Sequence, residues 1–195
     1  MDTVRGEDWY GRHLDGFRCE DTKFVDVDLT EARSEAAVFT GCSFAQVRFN
    51  VSEHVDSAFA NCVFIGCSFF DSTFTRCKFV GSRFEGCDFS LLTVDGGNWS
   101  FVDLGRAQLR SVTMTGVQFR EADFTRADCT DATMTGCDLS AADLAGADFT
   151  SARLAGSDMT GVDPTDVRLR GAIIDERQAA QFAQARGMVV VPTLG

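Results

Sequence analysis

The sequence predicts an all-β solenoid built from short extended sides, and three regularities lead to this prediction. A large apolar residue, most often Phe or Leu, recurs at every fifth position from Leu14 to Ile174, through 33 units without an insertion. The position two before it is Ala, Cys, Ser, Thr, Val or Gly in 30 of the 33 units, and the position two after it is Gly in 12. A period of five fits neither an amphipathic helix nor a simple alternating strand.

Side-chain direction explains the first two regularities, and backbone freedom explains the third. Residues two apart in an extended segment point to the same side, so the small and the large residue of each unit both face inward. Glycine is favoured where φ is positive, so its fixed position predicts a corner after each side. Stacked sides bury a continuous core that no single unit could make alone.

The motif A(D/N)Lxx, found here as CDLSA (137–141), AADLA (141–145) and GADFT (146–150), resembles that of the pentapeptide-repeat proteins. The resemblance covers residues 12 to 174 and implies a right-handed quadrilateral parallel β-helix with four units per coil. At about 4.8 Å per coil, about eight coils would form a rod about 40 Å long. The expected organisation is a lead-in over residues 1–11, the β-helix over 12–174, and a capping and dimerising segment over 175–195.

The C-terminal segment predicts a short helix that must dock. Asp175 can cap a helix over residues 176–186, with Gln178 completing a capping box and Gly187 ending it. Such a short helix is marginal alone, and an open solenoid end needs a cover. We therefore expect a cap and, as a hypothesis, a symmetric dimer through this end. The apolar residues expected there are Ile173, Ile174, Phe182, Met188, Val189, Val190 and Val191.

A few positions depart from the repeat. Ser34 and His54 occupy positions of the large residue, and we expect His54 to be buried and internally hydrogen-bonded. Leu92 stands where a small residue is usual, and Gly96 and Gly97 follow it. We expect a kink or a distorted coil within residues 90–99.

The eight cysteines are predicted to be packing residues with reduced thiols. Their spacing does not match a zinc site, and stacked pairs such as Cys67 and Cys87 would have parallel Cβ vectors that suit a disulfide poorly. No catalytic or nucleotide-binding motif occurs. We therefore expect no enzymatic activity, no cofactor and no metal. The six cysteines at the small inward position are Cys42, Cys62, Cys67, Cys77, Cys87 and Cys137, and the two at large positions are Cys19 and Cys129.

Negative charge is concentrated late in the chain, whose net charge is -11. With four units per coil, one face carries a vertical row of Asp103, Asp123, Asp143 and Asp163. The face before it carries Asp138 and Asp158, and the face after it carries Asp128 and Asp148. Asp is also the repeat consensus at this outward position, so these residues admit a purely structural explanation. Early units carry Lys23 or Arg33 there instead, which favours a functional role for the later acids.

An acidic chain is a poor direct binder of nucleic acid and suits a basic partner surface better. No apolar run is long enough to span a membrane, and the charged N-terminus does not resemble a secretory signal. The expected location is the cytoplasm.

Four segments look like the MfpA-type branch of fluoroquinolone-resistance pentapeptide proteins, which are related in function to the Qnr proteins. They are DLTEARSEAAVFTGCSF (28–44), SEHVDSAFANCVF (52–64), VDP (162–164) and IDERQAAQFAQARGM (174–188). The resemblance implies a dimer, joined at its C-terminal helices and shaped and charged like a short DNA duplex. It would bind DNA gyrase in place of DNA, inhibiting the enzyme or protecting it from topoisomerase poisons. Which of the two applies stays open, because the uninterrupted register lacks the projecting loops of Qnr proteins.

The alternative hypothesis is a scaffolding repeat protein with an unrelated partner. Scattered outward apolar residues would mark its site, although such residues are common on protein surfaces. They are Val38, Val63, Ile65, Phe70 and Phe101.

Overall fold

A computed structural model describes residues 2–191 of the chain. Within them, short parallel strands lead to one helix, α1 (Glu176–Ala185). The strands are β1 (Thr3–Arg5), β2 (Arg18–Glu20), β3 (Lys23–Val25), β4 (Arg33–Glu35), β5 (Val38–Thr40), β6 (Ser43–Ala45), β7 (Glu53–Val55), β8 (Ala58–Ala60), β9 (Val63–Ile65), β10 (Thr73–Thr75), β11 (Arg83–Glu85), β12 (Thr93–Asp95), β13 (Thr113–Thr115) and β14 (Thr133–Thr135).

The strands stack in parallel with a register of 20 residues, which is one coil of four pentapeptides. The first face is the sheet β1-β3-β6-β9-β11, the third face contains β4-β7-β10-β12-β13-β14, and the fourth contains β2-β5-β8. The second face lies between the first and third and is joined by single bridges such as those of Asp28 to Asp8 and Arg48. The predicted quadrilateral parallel β-helix is confirmed.

The solenoid has about seven turns, slightly fewer than the eight expected. On the first face, successive 20-residue steps lead from Thr3 to Asp143. The ladder therefore begins inside the segment predicted as a lead-in. It does so because Val4 and Trp9 already stand in the register of the large inward residue, with Trp9 buried.

Columns of stacked phenylalanine rings fill the core. On the first face, ring centroids are 4.9 Å apart between Phe24 and Phe44, 4.8 Å between Phe44 and Phe64, and 4.7 Å between Phe64 and Phe84. The rings are nearly parallel because each repeats the backbone position of the one a coil below. Burial of each ring contributes about 1.5–3 kcal/mol, and each aromatic pair about 0.5–1.5 kcal/mol more.

The small inward residue also makes hydrogen bonds between coils. Cys67 Sγ lies 3.3 Å from the carbonyl oxygen of Phe44, 23 residues earlier, and Ser82 Oγ donates to the carbonyl of Phe59 at 2.6 Å. Cysteine and serine therefore fill the position while also donating to a main-chain carbonyl of the preceding coil. All eight cysteines are free, and burial raises the pKa of Cys77 to about 11. Their prediction as packing thiols agrees with these contacts.

One step of the second face is open. Ladder hydrogen bonds hold the flanking faces together, from Phe84 to Asp103 at 3.1 Å and from Thr113 to Leu92 at 3.0 Å. Between them, across residues 86–91 and 105–110 of the described chain, the expected amide bonds of Gly86, Phe89, Leu91 and Gln108 are absent. We call this opening the slit. The distortion predicted for residues 90–99 is thus found instead in residues 86–91, which overlap only its first two positions, and in residues 105–110, which follow it in the chain.

The last coil leaves the first face at Pro164. Gly146 donates to Asp166, and Asp163 does not continue the bridges that join Asp103, Asp123 and Asp143. Within the described chain, Leu144 and Asp163 donate no ladder hydrogen bond here, whereas their equivalents one coil earlier, Phe124 and Asp143, donate to the carbonyls of Asp143 and Ala122.

Helix α1 closes this end of the rod. Asp175 Oδ1 accepts from the Gln178 amide and Gln178 Oε1 accepts from the Asp175 amide, so the predicted capping box is confirmed. Gln178 is fully buried, and its Nε2 donates to the carbonyls of Leu154 at 2.8 Å and Ser157 at 2.9 Å. The capping residue therefore also fixes the helix to the exposed edge of the solenoid.

Within residues 2–191, no helix is long and apolar enough to cross a membrane. The same residues contain no group of three or more His, Cys, Asp or Glu side chains placed to hold a metal ion.

Candidate partner-binding face

The outward aspartates first serve the corners of the solenoid. In each, Oδ1 accepts a hydrogen bond from the amide two residues later, as in Asp103 to Gly105 at 3.0 Å and Asp143 to Ala145 at 2.9 Å. This is the Asx-turn geometry in which a carboxylate stabilises a tight turn. Asp at this position therefore stabilises the turn through Oδ1, and its second oxygen, Oδ2, is free to contact other groups. The same bond is made by Asp123, Asp128, Asp138, Asp148, Asp158 and Asp163.

On the second and fourth faces, arginines neutralise three of these carboxylates. Oδ2 of Asp128 lies 3.0 Å from Arg110, that of Asp138 lies 3.2 Å from Arg120, and that of Asp148 lies 3.2 Å from Arg168. Partial burial alone would raise the pKa of Asp128. Hydrogen bonds from Thr130 and Arg110 outweigh it and hold that pKa below its ordinary value.

On the first face the carboxylates are not paired in this way. In the part of the chain that the structure describes, no Lys or Arg nitrogen comes within 4.0 Å of Asp103, Asp123 or Asp143. The three bridge one another in register, which places them about 4.8 Å apart. We call these three residues the acidic ladder. Each neighbouring pair repels by about 1 kcal/mol even at the dielectric constant of water.

Arginines border the acidic ladder at the next corner. Arg106 and Arg126 stand two residues after the large residues Leu104 and Phe124, and together with Asp103 and Asp123 they line a shallow groove. The same outward position earlier on this face holds Lys23, Ser43, Val63 and Arg83 rather than acids. The negative strip therefore begins at the coil that follows the slit.

The structure divides the remaining predicted acids of this region. Hydrogen bonds from Thr160 lower the pKa of Asp158, and hydrogen bonds from Thr165 lower that of Asp163, with a smaller effect of Arg186. Asp163 lies beyond the point where the last coil leaves the ladder. Of the eight predicted acids, the structure groups the three of the acidic ladder and separates the rest by ion pairing or position.

The predicted dimer residues lie together at the C-terminal end but differ in exposure. Val189 is 87% exposed and Val191 is 74% exposed, with Met188, Val190 and Ile173 also exposed. Ile174 and Phe182 are half-buried and pack against the core. A groove of about 470 Å³ between α1 and the last coil is lined by apolar atoms of Met159, Val162, Phe182 and Ala185.

Sequence reasoning missed the arginine partners and part of the apolar surface. Arg110 and Arg120 each stand 18 residues before the aspartate they pair with, a spacing that the 20-residue coil makes meaningful. Of the outward apolar residues predicted for a scaffold, Phe70, Ile65 and Phe101 are exposed, whereas Val38 and Val63 are half-buried. Other exposed apolar residues, not predicted, include Tyr10, Val51 and Leu91.

Known proteins resemble this chain in the repeat region. Residues 67–142 match the family described as Pentapeptide repeat region, and residues 127–163 match that described as Pentapeptide repeats (8 copies). The pentapeptide repeat protein MfpA of Mycobacterium tuberculosis is 38% identical over 100 residues, which are 50% of this chain and 55% of that protein. MfpA of Mycolicibacterium smegmatis is 51% identical over 41 residues, 21% of this chain and 22% of that protein. The matched part thus spans about half or less of these relatives' length.

Two solved structures share the fold over most of their length. Full-length QnrB1, a plasmid-mediated fluoroquinolone resistance protein, superposes with a TM-score of 0.76 at 19% identity, covering 95% of this chain and 97% of QnrB1. HetL, a pentapeptide repeat protein involved in heterocyst differentiation regulation in the cyanobacterium Nostoc, gives 0.63 at 17% identity, covering 89% and 87%. At these identities the likeness concerns the fold alone.

Proposed function

From the pentapeptide-repeat match of its residues 67–163 and its similarity to MfpA, we propose that this chain binds DNA gyrase as a mimic of duplex DNA. Bound there, it would inhibit the enzyme, protect it from topoisomerase poisons, or do both. The partner would present the Lys and Arg surface that otherwise holds DNA phosphates. The proposed site of action is the cytoplasm, where gyrase works, and no enzymatic step is required of this chain.

The observation that carries the proposal is the acidic ladder. Asp103, Asp123 and Asp143 repeat at a fixed spacing along the first face of the solenoid, without the arginine pairing seen on the neighbouring faces. An array of carboxylates without salt-bridge partners at a regular spacing presents charge to a partner much as a row of phosphates does. The turn bonds to Gly105, Thr125 and Ala145 hold each carboxylate in place, so little side-chain entropy is lost on binding.

The double variant Asp123→Asn with Asp143→Asn tests this directly. Asparagine keeps the oxygen that accepts the turn bond and removes the charge, so the fold is retained. We expect weaker inhibition of gyrase supercoiling and a smaller dependence of binding on salt. The matched control is Asp8→Asn with Asp28→Asn, which also accept turn bonds in adjacent coils but lie on the second face. If both double variants inhibit as well as the natural chain, mimicry by this face is wrong.

Charge reversal at the same positions should have a larger effect. Asp123→Lys with Asp143→Lys introduces like-charge repulsion against a basic partner, so binding should be lost rather than reduced. Supercoiling assays with and without a fluoroquinolone would separate the two outcomes for gyrase. Protection appears as less drug-induced DNA cleavage, and inhibition alone appears as less supercoiling without the drug.

A dimer through the C-terminal end is the second part of the proposal. The apolar side chains of Met188, Val189 and Val191 have no cover within residues 2–191, and the groove beside Phe182 offers an apolar surface at the same end. A two-fold axis here would place two rods end to end, with their acidic ladders on either side of the centre. The mass of the full chain by sedimentation equilibrium tests this against Val189→Asp with Val191→Asp. A monomeric natural chain contradicts the dimer.

The scaffolding hypothesis is favoured only by the exposed apolar residues Ile65, Phe70 and Phe101, which lie apart on different faces and corners. It predicts that gyrase is unaffected by the natural chain at any concentration. The supercoiling assay therefore distinguishes the two functions.

A further inference from the structure

The slit is the single interruption between the first and last coils of an otherwise regular ladder in residues 2–191. One coil earlier, the equivalent amides of Gly66, Phe69, Asp71 and Asp88 are all bonded, at 2.8 to 2.9 Å. One coil later, those of Arg106, Leu109, Ser111 and Asp128 are bonded at 2.7 to 3.0 Å. The four absent bonds are contiguous and confined to one face, so the interruption is a local feature of the fold.

A cavity of about 270 Å³ occupies the slit. Its floor is formed by Phe84, Cys87 and Phe89, with Ala107 on the opposite edge, and Asp103, Arg106 and Gln108 stand at the rim. Ala107 is half-exposed, whereas Ala127 and Ala147 at the same position of later coils are buried. Cys87 is the most exposed of the cysteines at the small inward position, at 9%. Solvent therefore reaches deeper here than elsewhere on the second face.

Two oversized inward residues explain why this coil does not close. Leu92 stands in a position that holds Ala32, Ser52 and Ser72 in earlier coils, and it is fully buried. Trp99 lies on the fourth face, opposite the slit, with its ring centroid 4.2 Å from that of Phe79. Overpacking of this kind displaces backbone. The fourth face stays bonded, through Trp99 to Gln118 and Gln118 to Gly97, so the displacement appears across the core on the second face.

The indole nitrogen of Trp99 gives a second sign of crowding. Nε1 is buried and has no hydrogen-bond partner within the described chain. A buried donor left unpaired costs free energy that a relaxed packing would recover. This coil therefore keeps the Trp99 side chain although its indole nitrogen lacks a hydrogen-bond partner.

From these observations we propose that the slit is a joint in the rod. The coils before the slit, up to Asp103, and the coils after it, from Leu104 to the point where the last coil leaves the first face, are each stiffened by four bonded faces. At the slit only three faces are bonded, so the two segments bend relative to each other by widening or closing the second face. The acidic ladder starts at the joint, with Asp103 on its rim. Bending there changes the angle between the acidic segment and the rest of the rod, which lets the rod follow a curved partner surface.

Amide hydrogen exchange of the full chain, resolved by residue with NMR, tests the joint. We expect Gly86, Phe89, Leu91 and Gln108 to exchange at least about a hundredfold faster than their counterparts one coil earlier, because opening is nearly free at the slit and costly in the intact ladder. Equal protection of the two sets would overturn the proposal. The test does not involve gyrase, so it stands or fails separately from the proposed function.

The variant Leu92→Ala tests the cause. Removing the oversized side chain should let the second face close and slow the exchange of those four amides by about tenfold or more. General destabilisation would speed exchange, which is the opposite sign. The matched control is Val112→Ala, the same position one coil later and beyond the slit, and it should not slow them. Unchanged or faster exchange in Leu92→Ala would show that overpacking does not hold the joint open.

Reaction with a thiol reagent gives an independent readout in a Cys19→Ser background. Cys87 should be labelled under native conditions, whereas Cys62, Cys77 and Cys137 stay protected. In Leu92→Ala the labelling of Cys87 should slow in step with the amides. Labelling of all buried thiols at one common rate would indicate global unfolding and contradict a local joint.

Discussion

The hydroxyl of Ser34 lies 2.7 Å from Nδ1 of His54, in the closed core one coil below it. His54 Nε2 lies 3.0 Å from Ser52 Oγ, whose own hydrogen is donated to the Phe49 carbonyl. Nε2 therefore donates to Ser52 Oγ, and full burial favours the neutral imidazole, in which Nδ1 accepts from Ser34. Its ring stacks on Phe74 with centroids 4.7 Å apart. The histidine thus replaces a phenylalanine in the column while satisfying the serines around it.

This histidine predicts a loss of stability in mild acid. Burial lowers the pKa of His54 from 6.5 to about 3. Between these two pH values the histidine is protonated in the unfolded chain but neutral in the folded chain. Stability should fall as the pH drops below about 6.5, with a slope approaching about 1.4 kcal/mol per pH unit. Denaturant unfolding between pH 7.5 and about pH 5 measures the slope.

The variant His54→Phe should remove that slope. Phenylalanine can stack on Phe74, while Ser34 keeps its contact with Ser57 and Ser52 keeps its bond to Phe49. Carboxylates with lowered pKa, such as Asp28 at about 2, act only in stronger acid and leave this pH range to the histidine. An unchanged slope in His54→Phe would show that another group is responsible.

Gly97 should be the least replaceable of the corner and side glycines. Its φ is +95°, and a Cβ there would overlap the backbone carbonyl oxygen of Cys77. We expect Gly97→Ala to cost about 3 kcal/mol or more of the free energy of unfolding, because backbone rather than a side chain must move. The control Gly116→Ala has φ +66° with open space around it, and Ala36 and Ala141 already occupy this corner position. Its cost should be about 1 kcal/mol, and similar costs for both variants would refute the close approach.

Gln178 should be essential for helix docking. Substitution with leucine removes two hydrogen bonds to the carbonyls of Leu154 and Ser157 and one from the Asp175 amide. We expect Gln178→Leu to destabilise the docked helix by about 2–4 kcal/mol and to make α1 sensitive to protease. Gln184→Leu, at an exposed position of the same helix, is the control and should retain the natural resistance.

The aspartates should show separable roles in turn formation and charge. We expect Asp143→Asn to leave stability within about 0.5 kcal/mol, because the oxygen that accepts from Ala145 remains. Asp143→Leu should cost about 1 kcal/mol by loss of the turn bond. Thermal unfolding of the two variants measures the difference. Equal destabilisation would mean that the carboxylate charge, rather than the turn bond, stabilises the corner.

Several features of this protein follow from the sequence with little ambiguity. The five-residue period sets the length of each side, and the four units per coil that the pentapeptide-repeat resemblance implies predict that Phe24, Phe44 and Phe64 stack. Asp175 and Gln178 predict the helix start to the residue. These features are readable because each depends on a local rule that repeats or on a short capping motif.

The positions of the aspartates in the candidate site were predictable, but their pairing with arginines was not. The sequence places Asp103, Asp123 and Asp143 in one row, and it places Asp128, Asp138 and Asp148 on the adjacent faces. Which of them are left without a neighbouring positive charge depends on whether an arginine from another coil reaches the second oxygen. Whether an arginine contacts an aspartate of another coil depends on the direction of its side chain, which cannot be read from the number of acids in a segment.

The sequence by itself determined the solenoid and its inward residues through the five-residue repeat, and its 20-residue register through the resemblance to pentapeptide-repeat proteins. Only the tertiary structure decided where the regularity fails. Leu92 and Trp99 are oversized on the third and fourth faces, yet the ladder opens on the second. The reason is that a packed core transmits displacement across its full width, and the weakest face yields wherever in the sequence the excess volume lies.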